Sequence, residues 1–298
     1  MVGMLGLCAL MASGCSRDHI EAVNLANEGD KAFKVNVEGA ISKYEQASQL
    51  DQTNHLILGK LVLAYERKED WDKVASTAAR ALQIAPEFAN YSYKRGFALM
   101  QLARAGDKDR YEEAKEPLKQ CIVKDPNYAE CYHELAEACL WTNDVQCAVE
   151  NYTKSIEHDP KIGYFYTPLA DTYISLQFYD EADKVLKEAI RLLDPIEKNA
   201  SYLHAAYVLS AKVAQAKGDS SGMISLLEKA AEIGGDKHPE DKFFLGAAYA
   251  TKEPPDKEKA VRLLNSFTKT SCRGAKASTF KDQCRASQDL IQKLGGAE

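Results

Sequence analysis

Residues 129–162 and 163–196 carry one pattern twice, at an offset of 34. The first copy reads AECYHELAEACLWTNDVQCAVENYTKSIEHDPKI and the second GYFYTPLADTYISLQFYDEADKVLKEAIRLLDP. Tyr132 answers to Tyr166, Leu135 to Leu169, Ala136 to Ala170 and Ala148 to Ala182, while Asp159 falls within one position of Asp194, the neighbour of Pro195. Each copy holds two stretches of helical apolar periodicity joined by a short turn. Asp125-Pro126 and Asp159-Pro160 stop the helices before them, because proline disfavours the helical conformation in the residue that precedes it. A lone helix pair of this length cannot bury its own apolar face, so the chain must stack one pair on the next.

A large–Leu–small triplet early, alanine in the middle and Asp-Pro at the end, on a period of 34, resembles the tetratricopeptide repeat (TPR) family. That resemblance implies an all-α fold: a right-handed solenoid of about seven helix-turn-helix repeats plus a C-terminal capping helix. The repeats fall near 21–53, 55–88, 89–128, 129–162, 163–196, 204–237 and 239–271, with the cap at 278–294. Leu61, Tyr65, Val74, Ala78, Ala81 and Pro86 take the family positions in the second repeat, with Asp70 as N-cap ahead of Trp71, and Gly96 takes the small position in the third. Four departures from the period are expected. The turn near Val35-Asn36 is shortened, six extra residues from Ala105 to Arg110 protrude as a loop, Pro117 kinks its helix or delays its start, and Glu253-Pro254-Pro255 adds two residues.

Met1 to Ala12 is apolar and uncharged, and ends in Ala12-Ser13-Gly14-Cys15 before polar residues begin. A short apolar run before small residues is a secretory signal, and small residues directly before a cysteine resemble a bacterial lipobox. By that resemblance residues 1–14 are a lipoprotein signal peptide, Cys15 takes the lipid, and 15–20 form a short anchor linker. Ser16 resembles the residue usual in outer-membrane lipoproteins, which implies the cell envelope, on the outer membrane facing the periplasm. No apolar run reaches the roughly 18 residues of a spanning helix, so the only membrane contact expected is this anchor. A soluble cytosolic adaptor with a misassigned N-terminus is the other reading.

Beyond Cys8 and Cys15 there are six cysteines, in consecutive pairs that straddle expected turns. Cys121 and Cys131 lie equally far from Pro126, Cys139 and Cys147 from Asn143, and Cys272 and Cys284 from Ser278. Equal distance from the turn of an antiparallel helix pair puts two side chains at one height, so three short-loop disulfides are geometrically open. The competing reading is that these are small core residues. A metal site from Cys131, His133, Glu137 and Cys139 lacks a C-x-x-C or a second histidine at ligand spacing, so no metal is assigned.

The formal net charge of -6 argues against nucleic acid, which requires a basic face. There is no phosphate-binding loop, no G-x-S-x-G elbow and no acid/base pair beyond ordinary helix-face charge, so neither an enzyme nor a cofactor is expected. The TPR resemblance implies instead that the first helix of each repeat lines a groove for a peptide or helix of another protein. Carried onto this sequence, that groove holds Tyr93, Phe97, His133, Glu137, Trp141, Tyr164 and Asp171. The Lys, Arg and Asn set with which chaperone-binding relatives clamp a carboxylate is missing. Residues 125–185 hold 12 acidic and 3 basic residues, whereas 252–298 hold 10 basic and 6 acidic. An acidic, aromatic middle suits a partner segment of basic or aromatic character. TPR lipoproteins of this kind resemble the pilotins of pilus secretins and the assembly factors of outer-membrane proteins.

Overall fold

A computed structural model describes residues 5–193 and 199–295, with side chains from residue 17 onward. Asp194 and Pro195 of the repeat register therefore lie outside the described residues, as do the side chains of Cys8 and Cys15. The described residues form helices and connecting turns, without a strand. They divide into two compact units, one ending at His158 and one starting at Asp159.

The first unit runs α1 (Leu5–Phe33), α2 (Val37–Leu50), α3 (His55–Arg67), α4 (Trp71–Ile84), α5 (Ala89–Arg104), α6 (Arg110–Lys124), α7 (Ala129–Trp141) and α8 (Val145–His158). Each helix packs on the next. In the second unit a 3-10 turn at Gly163–Phe165 leads into α9 (Tyr166–Ser175), α10 (Tyr179–Leu193), α11 (Ala200–Ala216) and α12 (Ser220–Gly234). It continues through α13 (Glu240–Thr251), α14 (Lys257–Ser271), α15 (Lys276–Thr279) and α16 (Lys281–Lys293).

The helix starts follow from side-chain chemistry. Asn36, Asn54, Asp70, Asp219 and Asp256 each accept a hydrogen bond from a backbone N–H of the first turn, supplying one of the acceptors that a helix N-terminus lacks. The turns inside the second, fourth, fifth and sixth repeats reverse through one left-handed residue: Glu69 (φ 56), Asn143 (φ 61), Gln177 (φ 62) and Gly218 (φ 75). Small residues sit where helices approach. Ala78, Ala81, Ala136, Ala148, Ala170 and Ala182 are all fully buried, and a Cβ at Gly96 would lie 2.6 Å from Leu118 Cγ, so only glycine admits that approach of α5 and α6.

Several expectations are corrected. The segment expected as a linker at 15–20 is helical, because α1 runs unbroken from Leu5 into the first repeat. The six extra residues of the third repeat are shared out: α5 is 16 residues long against 13 in α3 and α7, and only Ala105 to Asp109 remain as a loop. Pro117 does not delay α6, which begins at Arg110 and carries the proline inside it. The first helix of the fifth repeat is the shortest of its kind in the second unit, at 10 residues. Pro168 can occupy only its first turn, where a backbone N–H is not needed, and the residues before it wind into the tighter 3-10 turn. The cap is broken into α15 and α16 at Phe280, whose ring packs edge-on to Phe267 at 5.8 Å.

Candidate functional site

In the first unit the aromatic positions of α5 join a longer row of rings. Phe97 stands one helical turn after Tyr93, their ring centres 5.7 Å apart. Trp71, at the start of α4, meets Phe97 edge-on at 5.7 Å, and Tyr128, just ahead of α7, lies 5.0 Å from Tyr93. The Tyr128 hydroxyl donates to Asn90 Oδ1 at 3.2 Å, which fixes that ring. Lys94 lies over the Tyr93 ring at 5.6 Å and pairs with Glu66 at 2.7 Å. Tyr93 and Phe97 are half-buried in this row, with one flank of each taken up by protein.

Trp141 offers an open aromatic surface. Its residue is 54% exposed at the last turn of α7, and its ring stacks parallel to buried Tyr111 of α6 at 5.1 Å and 3°. Stacking on a buried ring holds the indole flat with one face to solvent, the posture of an anchor for a partner side chain.

The two polar groove positions of α7 are otherwise engaged. His133 is 6% exposed, and burial with the nearby Arg104 charge lowers its pKa to about 3, so the ring is neutral. It packs beside Tyr152, ring centres 5.6 Å apart, instead of facing a groove. Glu137 is half-buried and accepts a hydrogen bond from the Tyr152 hydroxyl at 2.5 Å. Between them Glu134 is also buried, and Arg104 Nη2 donates to its Oε2 at 2.9 Å. Burial pushes the Glu134 carboxyl up to about 7, against the pull of Arg104. Sequence reasoning missed this group. The signal was the insertion: the extra turn of α5 is what brings Arg104 to α7.

In the second unit Tyr164 lies in the 3-10 turn and not on a helix, edge-on to Phe165 at 4.7 Å and 6.1 Å from Tyr202. Asp171 is exposed on α9 and accepts from Lys212 Nζ of α11 at 3.3 Å. A polar cluster unforeseen in the sequence sits between α11 and α13. His204 Nε2 is 2.9 Å from Asp241 Oδ2, and the His204 ring stacks on His238 at 3.8 Å. Asp241 is 2% exposed, and burial raises its carboxyl.

The six body cysteines are joined as Cys121–Cys131, Cys139–Cys147 and Cys272–Cys284, with S–S distances of 1.95, 2.01 and 2.00 Å. Sulfurs bound to each other have no thiolate to offer, which removes Cys131 and Cys139 as metal ligands.

Consecutive helix pairs with alanine contacts and a repeated left-handed turn define an all-α repeat scaffold. Residues 164–192 match the family model of the tetratricopeptide repeat. Its fold is similar to the C-terminal part of a TPR repeat-containing protein from Cytophaga hutchinsonii, at 17% identity over 85% of this chain and 98% of that one, with a TM-score of 0.66. PilW, a widely conserved type IV pilus biogenesis factor, gives 16% identity, 74% and 96% coverage and a TM-score of 0.56. PilF of Pseudomonas aeruginosa gives 17%, 72% and 93%, and 0.55. At such identities the likeness is one of fold.

Proposed function

We propose that this chain is a lipid-anchored scaffold of the bacterial cell envelope that binds a segment of another protein through its repeats. The observation that carries the reading is Trp141, a large aromatic ring backed by Tyr111 and open on one face. An exposed, pre-positioned tryptophan costs little conformational entropy on binding and is a frequent centre of interface energy. The acidic 125–185 stretch of the sequence, within which Trp141 falls, favours a basic or aromatic partner segment. Three cystines support export, since disulfides persist in oxidising compartments. Cys15 is the proposed lipid site, and the outer membrane, facing the periplasm, the proposed location. The shared fold with PilF and PilW makes pilus, secretin or outer-membrane assembly the process we infer by analogy.

Two measurements test this reading. Acyl labelling should mark the wild type and not Cys15→Ser; an unlabelled wild type would remove the lipid anchor and leave the cytosolic adaptor as the alternative. Pull-downs from membranes should lose a partner when Trp141→Ala is combined with Tyr164→Ala. An unchanged partner set removes the groove reading.

A further inference from the structure

In the second unit a cleft of about 380 Å³ lies between α11, α12 and α13. Its walls are apolar: Val208 of α11, Met223 and Leu227 of α12, and Phe244 and Ala248 of α13. Polar side chains stand only at Lys212, Gln215 and Thr251. The Thr251 hydroxyl is already donated to the Ala247 carbonyl of its own helix at 3.0 Å. Lys212 is the one formally charged side chain of the lining. Its ammonium meets Asp171 at 3.3 Å, but both side chains are more than half exposed, at 54% and 56%. A pair so open to water holds its partners weakly, so Lys212 can turn to another anion at little cost.

The volume lies in the range of small-molecule clefts, about 300–1,000 Å³, and the composition is theirs: apolar walls with a few polar groups that set orientation. Phe244 of the lining is 40% exposed. We propose that this cavity binds a small amphipathic anion, an aliphatic carboxylate whose chain lies along Val208, Leu227 and Phe244 and whose carboxylate pairs with Lys212. The single cation at an apolar cavity distinguishes this ligand from a neutral or cationic amphiphile. The inference does not depend on the partner reading above.

Decanoate is the probe, titrated calorimetrically into the full chain. One decanoate should bind per chain, and octanoate about ten-fold more weakly, because two fewer methylenes are buried. Decanol should bind about five-fold more weakly than decanoate, and Lys212→Gln should bring decanoate to the decanol level while leaving decanol unchanged. Ala247→Phe fills the cavity from a half-buried position and should abolish both. Phe244→Asp, at an exposed position, provides a second variant should the first fail to fold; it should repel decanoate more than decanol. Absence of saturable decanoate binding, equal affinity for decanol, an unchanged decanoate affinity in Lys212→Gln, or binding that survives both cavity variants would each overturn the proposal. So would binding of an acidic apolar peptide where decanoate does not bind.

Discussion

Glu134→Gln should change how the stability of the first unit depends on pH. A carboxyl whose pKa is higher folded than unfolded makes folding take up a proton. Its stabilisation is complete below the ordinary value of 4.5 and is lost as pH rises through about 7. Moving a carboxyl over that interval is worth about 3 kcal/mol. His133 works in the opposite sense. Its folded value is lowered from 6.5 to about 3, so its stabilisation is present above 6.5 and is lost as pH falls toward 3. Between pH 4.5 and 6.5 the two effects cancel in the wild type, each close to 1.4 kcal/mol per pH unit. Glutamine keeps an oxygen for Arg104 and has no proton to lose, which leaves His133 alone. The variant should therefore gain stability as pH rises from 4.5 to 6.5, by about 3 kcal/mol, while the wild type stays level. Arg104 is one-third exposed and can turn to water when its partner becomes neutral. Urea unfolding from pH 4.5 to 8, with disulfides intact, reads the difference, and hydrogen exchange of the α7 amides localises it. A gap between the two proteins that does not change with pH would refute the reasoning. A variant that loses ground as pH rises would show Arg104 outweighing burial.

Gln177→Gly should stabilise the second unit by about 1 kcal/mol, because the residue holds a left-handed backbone (φ 62) that costs a side chain and not glycine; thermal unfolding should rise by a few degrees, and a fall would count against it. Ala136→Leu should cost about 1–3 kcal/mol, since this fully buried alanine sits where α7 meets its neighbours and the helices have no room to separate. An unchanged unfolding midpoint would place the close contact elsewhere.

The period was legible because it is local. Asp70 and the Asp-Pro stops at 125–126 and 159–160 each act within a turn or two of themselves, and do in the structure what their chemistry dictates. Other features depended on side chains far apart in sequence. By repeat register Tyr164 belongs at the start of a helix, yet Pro168 and the close approach of Gly163 to Leu193 alter that start. The repeat position of His133 implies a groove residue, but the ring is buried beside Tyr152, and the lengthened α5 brings Arg104 to Glu134 of the same helix. The insertion was visible in the sequence, and its effect 30 residues away was not. Trp141 shows the same limit. Its groove position follows from the repeat register, whereas the Tyr111 ring that holds it flat comes from the preceding helix.

α7 carries three neighbouring polar side chains, two of them buried, and also the exposed tryptophan. Buried ionisable groups do not tighten a core as apolar side chains would. The covalent links compensate at both ends: Cys131 ties the start of α7 to α6, and Cys139 ties its last turns to α8. Each closes a loop of roughly ten residues, a constraint worth about 2–3 kcal/mol in the chain-entropy account. Trp141 lies two residues beyond Cys139, so the second link also fixes the place from which the indole is presented. Replacing Cys139 and Cys147 by serine should therefore weaken partner capture, and raise exchange at the end of α7, under conditions where the unit is still folded by circular dichroism. Replacing Cys272 and Cys284, in the other unit, should leave capture unchanged. Equal loss from both replacements would mean that the links act on global stability alone, and that the presentation of Trp141 does not depend on them.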